Sequence, residues 1–392
     1  MPTITDDRTT TQTVAGTTGL TLTRKGSIKI NGSDDNVFGI SVATGATGNN
    51  VIVNGLIHAT NSEGGTAVGI WSGGDNFRLN IGKSGEVQGN DGIVTNEKTY
   101  ILNSGHIIGL DGDGVVANGF VKLENDGSIR GVHAVSLAHK ANVYNYGDIT
   151  GSDIGILGSN SYRHAIENEG TIKGMGSAAI QTGIGDDRIR NAGKIIGDIS
   201  TGDGEDRIHI FKGSIQGNII TGAGDDRLII NSNKFTLIEE NGGGFEEVYS
   251  KVSYALPDYV ETLRLLGAKN INATGSENGN NYIYGNRGDN VLNGLGGHNE
   301  LFGLGGTDTL IGGDDYDLFG IGKFYGRDTV ENYQDGTDQI DIKYIGSDNF
   351  EELKSHIKDH GNDTWIEFNN NVLILKGVDH NVLDESDFLF DY

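Results

Sequence analysis

Apolar residues along this chain come in short alternating bursts, and no window sustains the 3.6-residue stripe of a long helix. A Gly-x-Ile/Val-x-Gly unit recurs as Gly85-Glu-Val-Gln-Gly89, Gly105-His-Ile-Ile-Gly109, Gly127-Ser-Ile-Arg-Gly131 and Gly147-Asp-Ile-Thr-Gly151. It continues as Gly170-Thr-Ile-Lys-Gly174, Gly193-Lys-Ile-Ile-Gly197 and Gly213-Ser-Ile-Gln-Gly217. The first glycines are 20, 22, 20, 23, 23 and 20 residues apart, and looser copies start at Gly26 and Gly55. Two places after the first glycine lies an aliphatic residue: Ile28, Val87, Ile107, Ile129, Ile149, Ile172, Ile195 and Ile215. Four places before it lies a second inward position, at Ile81, Ile101, Leu123, Val143, Ile166 and Ile189. Alternation at period two means strands with one buried face, and the glycines between them mean corners. One coil cannot close a core, but stacked coils bury a continuous aliphatic column. The pattern predicts a parallel β-helix over residues 20–232, with coils of about 20–23 residues. A polar, threonine-rich start, residues 1–19, reads as a cap or tail.

Asparagine precedes the glycine by two places in five successive coils, at Asn103, Asn125, Asn145, Asn168 and Asn191. Stacked amides at one corner can hydrogen-bond along the coil axis and satisfy turn backbone, so this ladder reads as scaffold.

Three acidic turns also recur one per coil: Thr182-Gly-Ile-Gly-Asp-Asp-Arg-Ile189, Thr201-Gly-Asp-Gly-Glu-Asp-Arg-Ile208 and Thr221-Gly-Ala-Gly-Asp-Asp-Arg-Leu228. Their stacked carboxylates repel unless compensated. Two compensations are open. Arg188, Arg207 and Arg227 could pair with them. Alternatively calcium, which takes six to eight oxygens, could bridge adjacent turns. The candidate ligands are then Asp186, Asp187, Asp206, Asp225 and Asp226, with the turns at Gly183, Gly185, Gly202, Gly204, Gly222 and Gly224 supplying carbonyls.

From Ser276 the period shortens to nine: Ser276-Glu-Asn-Gly-Asn-Asn-Tyr-Ile-Tyr, Gly285-Asn-Arg-Gly-Asp-Asn-Val-Leu-Asn, Gly294-Leu-Gly-Gly-His-Asn-Glu-Leu-Phe, Gly303-Leu-Gly-Gly-Thr-Asp-Thr-Leu-Ile and Gly312-Gly-Asp-Asp-Tyr-Asp-Leu-Phe-Gly. This run resembles the Gly-Gly-x-Gly-x-Asp-x-Leu-x nonapeptide of the RTX (repeats-in-toxin, hemolysin-type calcium-binding) family. The resemblance implies a parallel β-roll over 276–345, with calcium between a turn and the turn two repeats later. It also implies export by type I secretion, without a cleaved signal peptide. Segment 244–267 resembles the stretch that often precedes such rolls, making 233–275 a connecting segment. Residues 328–342 and the acidic end, 346–392, resemble the family's closing segment and its β-rich C-terminal cap and secretion region. The sixth position, aspartate in the family, reads Asn281, Asn290, Asn299, Asp308 and Asp317. Asparagine keeps an oxygen but loses the charge, which weakens calcium sites built on Asn290 with Asp308 and Asn299 with Asp317.

The whole chain is thus expected to be all-β: a β-helix, then a calcium-type β-roll and a C-terminal cap. Its net charge of −25 repels phosphate backbones and anionic lipid surfaces, so no nucleic-acid partner and no membrane insertion are expected. The chain has no cysteine, which excludes disulfides and thiolate metal sites. The expected role is that of a secreted calcium-binding protein. It would be structural, adhesive or self-assembling at the cell surface or in the extracellular matrix, with its own copies or surface polysaccharide as partner.

An enzymatic alternative is a uronate lyase or epimerase on the β-helix. Neither His-Glu-x-x-His nor Gly-x-Ser-x-Gly occurs. Its candidate catalytic residues are His139, Lys140, Tyr162 and His164, with His133 and Arg163 nearby. Counted from the preceding glycine, Lys98 and Lys140 share an offset, as do Tyr100, Phe120 and Tyr162, which suggests a sugar-binding row.

Overall fold

The computed structural model describes residues 2–390 except 17, 18, 33–35, 63, 64, 160, 322–324, 344, 346, 348 and 369. The chain is 51% strand and 3% helix and forms parallel β-solenoid coils. It divides into two compact units, Met1–Gly224 with Lys234–Ile238, and Asp225–Asn233 with Glu239–Tyr392.

In the first unit each coil lays down three strand segments in turn. One coil, for example, contributes Thr99–Asn103, His106–Gly109 and Val115–Ala117. Each segment pairs in parallel with its equivalents above and below, so three aliphatic columns face inward. Ile57, Val87, Ile107, Ile129, Ile149, Ile172 and Ile195 stack in register and are all fully buried. Val51, Leu79, Ile101, Leu123, Val143, Ile166 and Ile189 form the second column. Ile70, Ile93, Val115, Val135, Ile156, Ile180 and Ile199 form the third. Burying each such side chain stabilises the fold by about 1.5–3 kcal/mol.

One inward position differs from the expectation. Ile81 stands opposite Asn103, and Leu79 is the residue level with Ile101. The corner from Ile81 to Gly85 is two residues longer than that from Asn103 to Gly105, so counting back four from the glycine stops two residues short of Leu79. Ile81 therefore caps the asparagine ladder instead of extending the aliphatic column. The ladder itself forms. Asn103, Asn125, Asn145 and Asn168 each donate an Nδ2–H to the Oδ1 of the next asparagine, at 2.7, 2.8, 2.8 and 2.7 Å.

The second unit has two strand segments per coil. One face carries Arg227–Ile230, Glu247–Ser250, Thr262–Leu265, Tyr282–Tyr284, Asn299–Phe302, Asp317–Gly320 and Gln339–Asp341. The other carries Tyr254–Ala255, Ala273–Thr274, Val291–Asn293, Thr309–Ile311 and Arg327–Val330. Leu263, Ile283, Leu301, Phe319 and Ile340 stack on one side of the core, and Leu292, Leu310 and Val330 on the other. The last residues close this unit. Asn371–Leu375 pairs in parallel with Arg327–Val330 and begins an antiparallel meander with Asp363–Phe368 and Ile357–His360. Phe388–Leu389 adds to Gln339–Asp341, held by Tyr333 Oη, which donates to the buried Asp387 Oδ1 at 2.7 Å.

Candidate metal centres

In the first unit the acidic turns stack as the spacing implies. Gly183 N–H donates to Thr201 O at 3.0 Å, Gly185 N–H to Asp203 O at 2.8 Å, and Gly204 N–H to Ala223 O at 2.7 Å. Gly202 and Gly222 have positive φ, 84° and 91°, and a Cβ on either would collide with the carbonyl of the turn above. Only glycine lets these turns pack. Asp187 and Asp206 point inward and are buried. Asp187 Oδ1 accepts from His164 N–H at 2.5 Å, and Asp206 Oδ1 accepts from Asp187 N–H at 2.7 Å. Burial pushes Asp187 up to about 6 and Asp206 up to about 7, against the opposing pull of these N–H groups.

Asp187 Oδ2 is left buried without a hydrogen-bond partner. The Thr182 hydroxyl has a single proton, which it gives to Thr201 O at 3.1 Å. Asp186 and Asp225 are exposed, each accepting from a backbone N–H, Glu205 at 3.2 Å and Phe245 at 3.0 Å.

The arginines are arranged otherwise than a compensating ladder requires. Arg188 and Arg207 stand side by side in register on the exposed strand face, and among the described residues neither forms an ion pair. Arg227 binds Glu247 of the next coil and lies 5.1 Å from the Tyr249 ring centroid. The turn carboxylates of Asp187 and Asp206 thus each receive a backbone N–H, and Asp187 also feels the positive charge of Arg163.

In the second unit the sixth positions of the nonapeptides form two stacks. Asn281 N–H donates to Asn299 Oδ1 at 3.1 Å, Asn299 N–H to Asp317 Oδ1 at 2.9 Å, and Asp317 N–H to Asp338 Oδ1 at 3.0 Å. On the opposite edge Asn290 N–H donates to Asp308 Oδ1 at 2.7 Å, and Asp308 N–H to Asp328 Oδ1 at 3.0 Å. Each stack therefore extends one aspartate beyond the nonapeptides, to Asp338 and Asp328. The signal for both was an aspartate two places before an aliphatic residue, Val330 or Ile340, as Asp308 stands before Leu310.

The asparagines supply their own compensation. Asn290 Nδ2–H donates to Ile271 O at 2.6 Å, Asn281 Nδ2–H to Val260 O at 3.0 Å, and Asn299 Nδ2–H to Gly297 O at 3.0 Å. Aspartate has no such proton. Asp308 Oδ2 is buried with no hydrogen-bond partner, and burial raises both Asp308 and Asp328, helped at Asp328 by the charge of Asp308 and at Asp308 by that of Asp289. A buried, partnerless carboxylate oxygen among carboxylate and carbonyl oxygens, with no nitrogen or sulfur donor, fits a hard cation. Asp308 with Asp328 on one edge, and Asp317 with Asp338 on the other, are the side chains that would hold such ions.

Residues 277–310 and 284–319 each match the family described as the RTX calcium-binding nonapeptide repeat (4 copies). This part of the chain is an RTX calcium-binding repeat region. Such repeats bind calcium and are typical of proteins secreted by type I export. Among curated proteins, none matches this chain. Among solved structures, an extracellular lipase, LipA from Serratia marcescens, is 17% identical over 53% of this chain, with a TM-score of 0.29. The match spans 40% of the lipase's length, and likeness at that level carries no argument about activity.

Of the candidate catalytic residues, the structure brings His139, Lys140 and Tyr162 together on the surface and places His164 inside the coil wall. His164 is fully buried, level with Ala141 in the wall of the coil, and burial lowers its pKa. His139 stacks on the exposed Tyr162 with ring centroids 3.9 Å apart, and Lys140 is exposed beside it. His133 instead pairs with Asp113, Nδ1 to Oδ1 at 3.0 Å, in a column of corner hydrogen bonds. The aromatic row does not form. Tyr100 stands opposite Arg78 and Lys122, because unequal coil lengths put Phe120 two residues out of register with it.

Proposed function

We propose that this RTX repeat protein is a secreted structural element that folds on calcium after export and acts outside the cell through adhesion or self-assembly. The observation that carries the reading is the contrast within the RTX stacks. The asparagine layers are satisfied by their own amides, whereas Asp308 Oδ2 is buried without a partner. Without a cation those carboxylates repel and the aspartate end of the roll is destabilised. In a cytosol poor in free calcium that keeps the chain loose, and at extracellular calcium the metal's binding free energy becomes folding free energy. The buried His164 weighs against a uronate lyase or epimerase built on Tyr162 and His164, since an imidazole inside the coil wall cannot touch a polymer.

The test is size-exclusion chromatography with light scattering on one preparation, in EDTA and in calcium at about 5–10 mM, the upper extracellular range. A compact monomer appearing only with calcium supports the folding switch, and a calcium-dependent polymer supports assembly as the function. An elution profile unchanged by calcium overturns the proposal.

A further inference from the structure

A second acidic centre lies outside the nonapeptides. In the second unit, Asp226, Glu239 and Glu246 are all buried, and a carboxylate oxygen from each lies within 4.8 Å of those of the other two. Three like charges at that separation repel strongly away from water. Glu246 is 3% exposed, and neither its Oε1 nor its Oε2 has a hydrogen-bond partner, although the side chain is directed into the group. A buried ionised carboxylate with no partner is among the costliest groups a fold can carry.

The position of Glu246 explains how it arrives there. Glu247 stands opposite Arg227 and Thr262, so Glu246 is level with Asp226 on one side and Glu261 on the other. Its own N–H donates to Glu261 Oε2 at 2.9 Å, the bond that Asp317 N–H makes to Asp338 in the roll. Glu246 and Glu261 thus occupy the inward turn position that aspartate or asparagine fills in the repeats, with one extra methylene. Glu239 comes from the other leg of the Asn241-Gly-Gly-Gly244 turn, whose Gly243 N–H closes on Glu240 O at 3.0 Å. The neighbouring charges felt by Glu246 are those of Glu261, Glu239 and Asp226, all negative. Arg227, the neighbour of Asp226, is engaged by Glu247.

We propose that Asp226, Glu239 and Glu246 form a divalent-cation site, calcium by its all-carboxylate chemistry, that clamps the two legs of the 239–246 turn. An oxygen-only donor set selects a hard cation over zinc or copper. Three carboxylates can supply up to about six oxygens, within the range calcium takes, whereas magnesium keeps several waters and tolerates such crowding poorly. The site stands apart from residues 277–319 and does not depend on the function proposed above.

The experiment counts calcium bound to the full-length chain by native mass spectrometry and follows amide exchange of residues 239–246. Wild type is compared with Glu246→Gln, Glu239→Gln and Asp308→Asn. Either glutamine variant should bind one calcium fewer than wild type and lose the calcium-induced exchange protection of the turn. Asp308→Asn should keep that protection, which separates this site from the repeats. Magnesium in place of calcium should give weaker protection. Glu246→Gln should also melt higher than wild type in EDTA, because it removes one of the crowded charges. Unchanged calcium stoichiometry and unchanged protection in both glutamine variants would overturn the proposal. Should Glu246→Gln fail to fold, Glu239→Gln carries the same two readouts alone.

Discussion

Asp308 N–H donates to Asp328 Oδ1 at 3.0 Å, so two carboxylates stand in consecutive layers of the roll. One layer away, Asn290 N–H makes the same bond to Asp308 Oδ1 at 2.7 Å, but there the pair is asparagine with aspartate. The same backbone thus accommodates both chemistries. What changes is whether the turn brings its own protons or needs a cation.

Asp328→Asn is therefore expected to make this layer behave like that of Asn290. In EDTA the variant should be more stable than wild type by about 1–3 kcal/mol, the scale of relieving a buried unsatisfied polar group. In saturating calcium the order should reverse, because a charged ligand is lost. Chemical denaturation with and without calcium checks both halves, and a variant destabilised in EDTA would contradict the account.

Asn290→Asp is the converse. It removes the Nδ2–H donated to Ile271 O at 2.6 Å and places a second carboxylate next to Asp308. Stability in EDTA should fall by about 1–3 kcal/mol. The calcium midpoint, followed by circular dichroism, should move to lower concentration as the donor set gains charge. A midpoint that stays put or rises would show that no cation is held between these layers.

Coil architecture was legible because glycine corners and period-two aliphatics are written locally. The spacing of Gly105, Gly127 and Gly147 was enough to place Ile107, Ile129 and Ile149 in one column. Register errors arose wherever a corner changed length, as between Ile81 and Gly85. The acidic stacks were legible only where glycine framed them. Asp328 and Asp338 lie 20 and 21 residues past Asp308 and Asp317, which breaks the nine-residue frame although the backbone bonds persist. Glu246 was hidden by a change of residue type alone, since Gly242 and Gly244 frame it as Gly222 and Gly224 frame Asp226, and Glu261 lies in a turn without those glycines. His164 was read as chemistry because of its side chain, yet it precedes Ile166 by two, as Asp187 precedes Ile189, and that periodicity places it inward.

The pH dependence of the metal-free protein follows from Asp187 and Asp206. Their folded-state pKa values, about 6 and about 7, lie above the ordinary 3.8, so the folded state holds protons that the unfolded chain has released. Their contribution is fully present below pH ~4 and is lost as pH rises through about 7. In EDTA, thermal stability should therefore decline between those limits, by on the order of a few kcal/mol. Calcium competes with those protons, so the stability it adds should grow over the same window. Melting curves at several pH values, with EDTA and with calcium, test this. Stability in EDTA that rises steadily from pH 4 to 7 would mean these aspartates are not the controlling groups.

The asparagine ladder should behave in the opposite way, indifferent to both calcium and pH. Asn145 is buried; it accepts from Asn125 at 2.8 Å and donates to Asn168 at 2.8 Å and to Gly147 O and Thr171 O at 3.0 Å each. Asn145→Ala leaves the Asn168 oxygen unsatisfied away from water, at about 1–3 kcal/mol, while the Asn125 amide keeps Gly127 O and Asp148 O. The loss should be the same in EDTA and in calcium, since no carboxylate takes part. Asn145→Asp is the sharper probe. A buried carboxylate cannot donate to Asn168 Oδ1, so the variant should be least stable at high pH, where it is ionised, and should recover partly on acidification. A loss that calcium reverses would show that this corner, too, belongs to the metal-binding part of the chain.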